Sequence, residues 1–298
     1  MPTAVSISRP VHERLQRQEF TGRTFGVHRV ACNLIDDHAN VITLLAPRVG
    51  HGPFSILVNT SFENIAIGDT VQAGADRLRV GNLSIELGDA PVWEPRPDWS
   101  HLRQARPQVE IAFAALDNWT SSAIWGGLAH ITGADEYAAG QPTFMARLAR
   151  GKEAYSRLIR QGLGQGKRDA LTEGARLLAG LGPGGTPSGD DFLVGVMAAI
   201  WLLGDEADIP AIAETAAPRT AVLSAAFLRA AGRGEFIAAW HGLVRALAAG
   251  DSTEVKEAAR RVESFGASSG ADALDGFILA GRTLLGQIPT HRESEEAL

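Results

Sequence analysis

Residues 181–195 read Leu-Gly-Pro-Gly-Gly-Thr-Pro-Ser-Gly-Asp-Asp-Phe-Leu-Val-Gly, and no single secondary structure can hold them all. Two prolines and three glycines among the first seven dictate turns and remove backbone donors. Thr186 precedes a proline and is driven towards an extended conformation. The pattern then flips. Ser188, followed three residues later by Asp191 and then an apolar run, predicts a helix start of capping-box type. The run Phe192 to Leu203 is apolar almost all round, which places it in the middle of a core. A glycine-rich loop feeding the N-terminus of a buried helix offers free N–H groups and the positive end of the dipole to an anion.

The chain of 298 residues is long enough for two domains or one large one. Its formal charge of −6 and pI near 5.8 argue against a nucleic-acid or anionic-membrane surface, leaving room for a local pocket that takes a small anion. The longest apolar run is too short to span a bilayer. The single cysteine, Cys32, excludes an intramolecular disulfide, and with no signal-like N-terminus the expected location is cytoplasmic. Cys32 lies in a strand-like run, Phe25 to Ile35, and reads as a packed thiol.

Up to about residue 100, short β-type runs alternate with turn residues: Thr24–Ala31, Val41–Leu45, Phe54–Val58, Asp69–Gln72, Leu78–Val80 and Leu83–Leu87. Close turns at Gly68-Asp69, Ala75-Asp76 and Gly81-Asn82 make the last three a meander. Pro91–Trp99, with three prolines and two tryptophans, reads as a strap between domains. From Pro107 the apolar spacing becomes helical, over Pro107–His130, Pro142–Gln161, Lys167–Gly180, Ser188–Leu203, Pro210–Ala217, Pro218–Ala231, Glu235–Ala249, Thr253–Phe265 and Ser269–Leu285. The tail from Pro289 is polar and expected to be loose. The expected fold class is α+β: a small β-sandwich or barrel-like domain over residues 1–100, then a larger all-helical domain over 101–298.

A nominal Gly-x-Gly-x-x-Gly at Gly180, Gly182 and Gly185 follows a helical segment and opens no βαβ unit, so no nucleotide cofactor is predicted. An internal repetition says more. Gly185-x-x-Ser188-Gly189-x-Asp191-x-x-x-Gly195-x-x-x-Ala199 recurs 81 residues later as Gly266-x-x-Ser269-Gly270-x-Asp272-x-x-x-Gly276-x-x-x-Ala280. Two helices that start alike and carry a small-residue face can pack closely, with their N-termini converging on one ligand. Capping boxes alone would explain both Ser/Asp pairs. Asp190 is not needed for capping, and adjacent aspartates would oppose an anion unless a cation lies between them. That suggests Mg²⁺ held by Asp190, Asp191 or Asp272. Thr220 and Ser224, four apart, share a helix face and are expected to bond back to the preceding turn. His51-Gly52-Pro53 and Asn59 in the β-domain could face the helical domain, and a turn and a strand-end asparagine explain them equally well; His12, His130 and His241 have no partners at ligand spacing.

Residues 180–191, Gly-Leu-Gly-Pro-Gly-Gly-Thr-Pro-Ser-Gly-Asp-Asp, with the later Gly266-Ala-Ser-Ser-Gly-Ala-Asp272, resemble a family long catalogued as a domain of unknown function. It includes a subunit of the oxamate carbamoyltransferase of bacterial ureide (allantoin) catabolism, a branch of purine breakdown. The family's later motif usually runs Gly-His-Thr-Ser-Gly-x-Asp. Here Ala267 and Ser268 replace His and Thr, so any chemical role of that histidine is vacant. The resemblance implies a carbamoyltransferase subunit that handles carbamoyl phosphate and oxamate, or a similar small carboxylate, with companion transferase subunits. Backbone N–H groups of Gly184, Gly185 and Gly189 with Ser188 would cradle the anion. Gly182, Thr186, Thr220, Ser224, Ser269 and Gly270 would line the same site. Asp190, Asp191 and Asp272 would act as catalytic groups, Asp190 and Asp191 also as Mg²⁺ ligands. Two other readings fit the same residues: a Mg²⁺-dependent hydrolase or phosphotransferase, and a non-catalytic anion-binding or assembly subunit.

Overall fold

The computed structural model describes residues 2–119 and 150–287. The expected helical continuations through His130 and from Pro142, and the tail from Pro289, lie outside them. Among the described residues, those up to Pro97 together with Glu235–His241 form one compact unit. Those from Asp98 to Gly234 and from Gly242 onward form the other. No described helix is long and apolar enough to cross a membrane.

The first unit is a curled nine-stranded sheet. Its strands are β1 (Ala4–Ser8), β2 (Phe20–His28), β3 (Ala31–Asp36), β4 (Val41–Leu45), β5 (Ser55–Val58), β6 (Thr70–Ala73), β7 (Arg77–Val80), β8 (Leu83–Glu86) and β9 (Val92–Trp93), with helix α1 (Arg9–Arg17) between β1 and β2. The spatial order is β8-β7-β6-β2-β3-β4-β5-β1-β9. Most pairs are antiparallel, while β4–β5 and β1–β9 are parallel. Thr3 bridges to Glu86, whose N–H donates to Pro2 O at 3.0 Å, so the β8 edge comes round to the start of β1. An edge engaged in this way offers fewer unpaired backbone groups to other chains. In β6 and β7 apolar side chains alternate with exposed ones, the period of a strand wet on one face. The β4 and β5 residues are buried throughout, as near-continuous apolar runs require. Val11 and Leu15 of α1 join Ile7, Phe20, Leu34 and Ile56 in the core.

Three features differ from expectation. The run expected as one strand over Thr24–Ala31 is a hairpin, β2 and β3, turning at Arg29-Val30 without glycine or proline. Strand β1 and helix α1 carry no local signal strong enough to stand out. Val92–Trp93, expected as part of a strap, pairs with Ile7 and Ser8 across more than 80 residues, which no local pattern reveals. Cys32 is a packed thiol, fully buried, with its pKa pushed up to about 12 by burial and the charge of Asp69.

His51, left without a role by sequence reasoning, is a buried polar hub of this unit. The Ser55 hydroxyl donates to Gly52 O at 2.9 Å, so it accepts from His51 Nδ1–H at 3.0 Å. That leaves Nε2 as acceptor for the Ser6 hydroxyl. The ring stacks on Trp93 at 4.6 Å, and His51 O accepts the Ala238 N–H at 2.9 Å. Burial pushes its pKa down to about 4, so the imidazole is neutral.

The second unit is helical: α2 (Trp99–Gln104), α3 (Arg106–Phe113), a π-helix (Ser156–Leu163), α4 (Arg168–Leu178), α5 (Ser188–Leu203), α6 (Ile209–Ala216), α7 (Val222–Gly232), α8 (Ala238–Ala249, of which the part from Gly242 belongs to this unit), α9 (Ser252–Glu263) and α10 (Ser269–Leu284). Every residue of α5 except Val194 is buried, as its all-round apolar character requires. Helices α5 and α10 begin and end 81 residues apart, so the repetition in sequence is a repetition in structure. Each follows a shorter helix and a loop. At the second helical position Gly189 and Gly270 lie against backbone; a Cβ there would sit 2.2 Å from Leu178 O and 2.0 Å from Val262 O. Where the two helices cross, a Cβ on Gly195 would sit 1.7 Å from Ala273 O. One on Gly276 would sit 2.1 Å from Phe192 O. The offset exchanges these two contacts, so the crossing has a local approximate two-fold.

Gly195→Ala and Gly276→Ala are therefore expected to lower stability by about 2 kcal/mol or more, even though alanine favours a helix by ~1 kcal/mol. Gly185→Ala, whose Cβ meets open space, is expected to stay within about 0.5 kcal/mol of the parent. Urea unfolding of the three variants checks both statements.

Candidate functional site

The loop from Ala179 to Pro187 links α4 to α5. Gly182 (φ 125°) and Gly184 (φ 93°) adopt backbone conformations closed to ordinary side chains. A Cβ on Gly182 would also lie 2.8 Å from Ser188 N, whereas Gly184 and Gly185 face open space. The tip of the loop is thus not held by packing and leaves room for a ligand to approach the backbone.

The helix start corrects one expectation. Pro187, not Ser188, is the N-cap of α5, and no side chain caps it. The loop's own carbonyls satisfy the first turn: Gly189 N–H donates to Leu181 O at 2.8 Å, and the N–H groups of Asp190 and Asp191 donate to Pro187 O at 2.9 and 3.2 Å. The second copy behaves alike. Ser268 is the N-cap of α10 without a side-chain bond, and Gly270 N–H donates to Phe265 O at 2.9 Å. Neither Ser188/Asp191 nor Ser269/Asp272 is a capping box, because main-chain acceptors already occupy that role. The Gly189 N–H, expected in the anion cradle, is taken. The N–H groups of Gly184, Gly185 and Thr186 make no hydrogen bond among the described residues.

Asp190 is buried and knits the loop together. Its Oδ1 accepts the Gly180 N–H at 2.9 Å, and its Oδ2 accepts the hydroxyls of Thr220 and, at 2.8 Å, Ser224. Burial pushes its pKa up, and these three bonds oppose that rise. Thr220 is extended and precedes α7, so it does not share a helix face with Ser224; neither hydroxyl bonds back to a preceding turn. The expectation failed because Pro218 delays the helix by a 3₁₀ turn, Ala217–Arg219.

Asp191 points the other way. The Thr186 and Ser269 hydroxyls lie 2.9 Å apart, joining the loop to the start of α10. Both act on the Asp191 carboxyl, pulling its pKa down. Burial outweighs them, and with the nearby charges of Asp272 and Asp190 it raises the value to about 8. Asp191 Oδ2 is enclosed with no hydrogen-bond partner among the described residues. Asp272 is buried beside it. A fourth buried carboxyl, Asp275, escaped sequence reasoning; burial, with the charges of Asp272 and Glu263, raises its pKa to about 7. Its signal was an acid in an apolar helix at a position where the first copy has Val194.

The expected Mg²⁺ fits this donor set poorly. Both Asp190 oxygens are committed to hydrogen bonds, and no group of three His, Cys, Asp or Glu among the described residues could hold an ion. Burial raises the Asp191 pKa to about 8, so at neutral pH the group carries a proton that it can donate to an anion. Open N–H groups, two hydroxyls and a neutral acid can bind a small oxyanion and exchange one proton with it.

A carboxyl held above its unfolded value near 4 binds its proton more tightly in the folded chain. Its contribution to stability is full below pH 4 and is lost as the pH rises through about 7 for Asp275 and about 8 for Asp191. Stability is expected to fall between pH 5 and 9, and Asp191→Asn to flatten that fall, gaining on the order of 1–3 kcal/mol over the parent at pH 9. Denaturant titrations across that range check the sign.

Comparison with known families bears on the whole of this arrangement. The model described as oxamate carbamoyltransferase subunit AllH matches residues 178–281, a span that contains the loop, all of α5 and all but the last three residues of α10. The model of the AllH family N-terminal domain matches residues 3–92, the β-sheet unit. No solved structure matches the chain.

Proposed function

The chain belongs to the AllH family of oxamate carbamoyltransferase subunits, and from that premise we propose that the loop–helix site described above binds the small anions of carbamoyl transfer. One observation carries the reading: three backbone donors at Gly184, Gly185 and Thr186 stand open beside a buried carboxyl whose proton is held to about pH 8. Oxamate, oxalurate, phosphate and carbamoyl phosphate are all oxyanions of a size that such donors accommodate.

In the direction that consumes oxalurate, a phosphate oxygen attacks the terminal ureido carbon and the bond from that carbon to the oxamate nitrogen breaks. The departing nitrogen needs one proton, and Asp191 supplies it. In the reverse direction the Asp191 carboxylate takes the amide proton of oxamate as its nitrogen attacks carbamoyl phosphate. A group that titrates close to working pH serves both directions. Asp190 is a positioning residue: it holds Gly180, Thr220 and Ser224, and through them the loop. The Thr186 and Ser269 hydroxyls orient the ligand and the Asp191 carboxyl.

A non-catalytic role, in which this chain senses the anion while companion subunits react, draws support from Ala267 standing where the resembling family has histidine. The two readings separate cleanly. In the assembled transferase, Asp191→Asn is expected to cut turnover by about 10²- to 10⁴-fold with little change in anion binding. An anion-sensing subunit would instead lose binding and turnover together. For the isolated chain, oxamate, oxalurate, phosphate and carbamoyl phosphate should each be titrated by thermal shift, with and without Mg²⁺. A ligand at 100 times its dissociation constant adds about 2.7 kcal/mol. Stabilisation independent of Mg²⁺ and lost in Gly185→Val supports the site; its absence for every ligand argues against anion binding by this chain alone.

A further inference from the structure

The β-sheet unit carries a second feature that the transfer reading does not use. Strands β4 and β5 are parallel neighbours, with Leu44 paired to Ile56 and Leu45 to Leu57. Beyond their carboxyl ends the chain leaves in two directions, into Ala46-Pro47-Arg48 and into Asn59-Thr60-Ser61. The β2–β3 turn comes to the same end of the sheet, since Ala46 N–H donates to Val30 O at 2.9 Å. So does β1, where Ala4 pairs with Val58. The result is an open cleft of about 580 Å³, lined among others by Arg29, Arg48, Asn59, Thr60, Pro47 and Val5.

Its lining carries two cations and no acid. The chain has more acids than bases, and many of its arginines pair with a carboxylate, as Arg9 does with Glu94 and Arg14 with Asp36. Arg29 and Arg48 pair with no carboxylate among the described residues, and no acidic side chain lines the cleft. Two guanidinium groups left without counter-charge in one concavity are a forked donor set that fits phosphate. Thr60 and Asn59 add neutral hydrogen-bonding groups. The volume lies in the range that takes a whole small molecule and exceeds what a bare phosphate fills. Val5, Pro47 and Val58 supply an apolar wall for the remainder. Sequence reasoning singled out Asn59 but could not place the arginines, which come from two separate turns.

We propose that this cleft binds a phosphate-bearing small molecule, with Arg29 and Arg48 on the phosphate and the organic body against Val5, Pro47 and Val58. It is separate from the loop–helix site and stands whether or not that site transfers carbamoyl groups.

Calorimetric titration of the full chain with pyrophosphate tests it. The parent is expected to bind with a dissociation constant below about 1 mM. Arg29→Ala and Arg48→Ala should each weaken binding by roughly tenfold, and the double variant by about 100-fold. Both arginines are exposed, so urea unfolding should show the variants as stable as the parent. Gly185→Val, which blocks the loop–helix site, should bind pyrophosphate as the parent does. Absence of binding by the parent up to about 10 mM would overturn the proposal. So would equal binding by the double variant, or binding lost in Gly185→Val and kept in the double variant, which would move the anion to the loop–helix site.

Discussion

The architecture of the helical unit depends on one contact made twice: the backbone of α5 against the backbone of α10. Gly195 lies on Ala273 O and Gly276 on Phe192 O so closely that no side chain fits between them. Helices that touch through their backbones bring their first turns together as well. Thr186 on the loop before α5 therefore reaches Ser269 at the start of α10. A wider crossing, with ordinary side chains at the seam, would separate the two helix starts and dissolve the site they share.

That proximity explains the second property of the site, its buried acids. Asp190, Asp191, Asp272 and Asp275 are all withdrawn from water within one small region. An unpaired buried carboxylate is costly, so each must be hydrogen-bonded or neutral. Asp190 takes the first course and Asp191 the second. The two are adjacent in sequence, and the helix turns their side chains about 100° apart, so one faces Thr220 and Ser224 and the other faces α10. Their difference in chemistry follows from that rotation.

The β-sheet unit illustrates how far local pattern reaches. Val41–Leu45 and the meander from Thr70 to Glu86 were legible because apolar alternation and turn residues are local signals. The hairpin turn at Arg29-Val30 was not, since neither residue is a turn former. Nor was the pairing of β9 with β1, which rests on contacts between distant stretches. His51 was illegible for the same reason: its partners Ser6, Trp93 and Ala238 come from three remote segments.

By itself the sequence determined the α+β order, the bounds of α5 and nearly those of α10, the 81-residue repetition and the loop that holds the site. All of these are written in residue types whose conformational limits are intrinsic: glycine, proline and apolar periodicity. Only the tertiary structure decided what the polar residues do. Ser188 and Ser269 proved not to cap because carbonyls of the loop reached the first turn before them. Thr220 and Ser224 gave their hydroxyls to Asp190, and Asp275 became part of the acidic cluster because α10 lies where it does. A hydroxyl or carboxyl has several partners of similar strength available, and the choice among them is made by proximity, which the fold alone supplies.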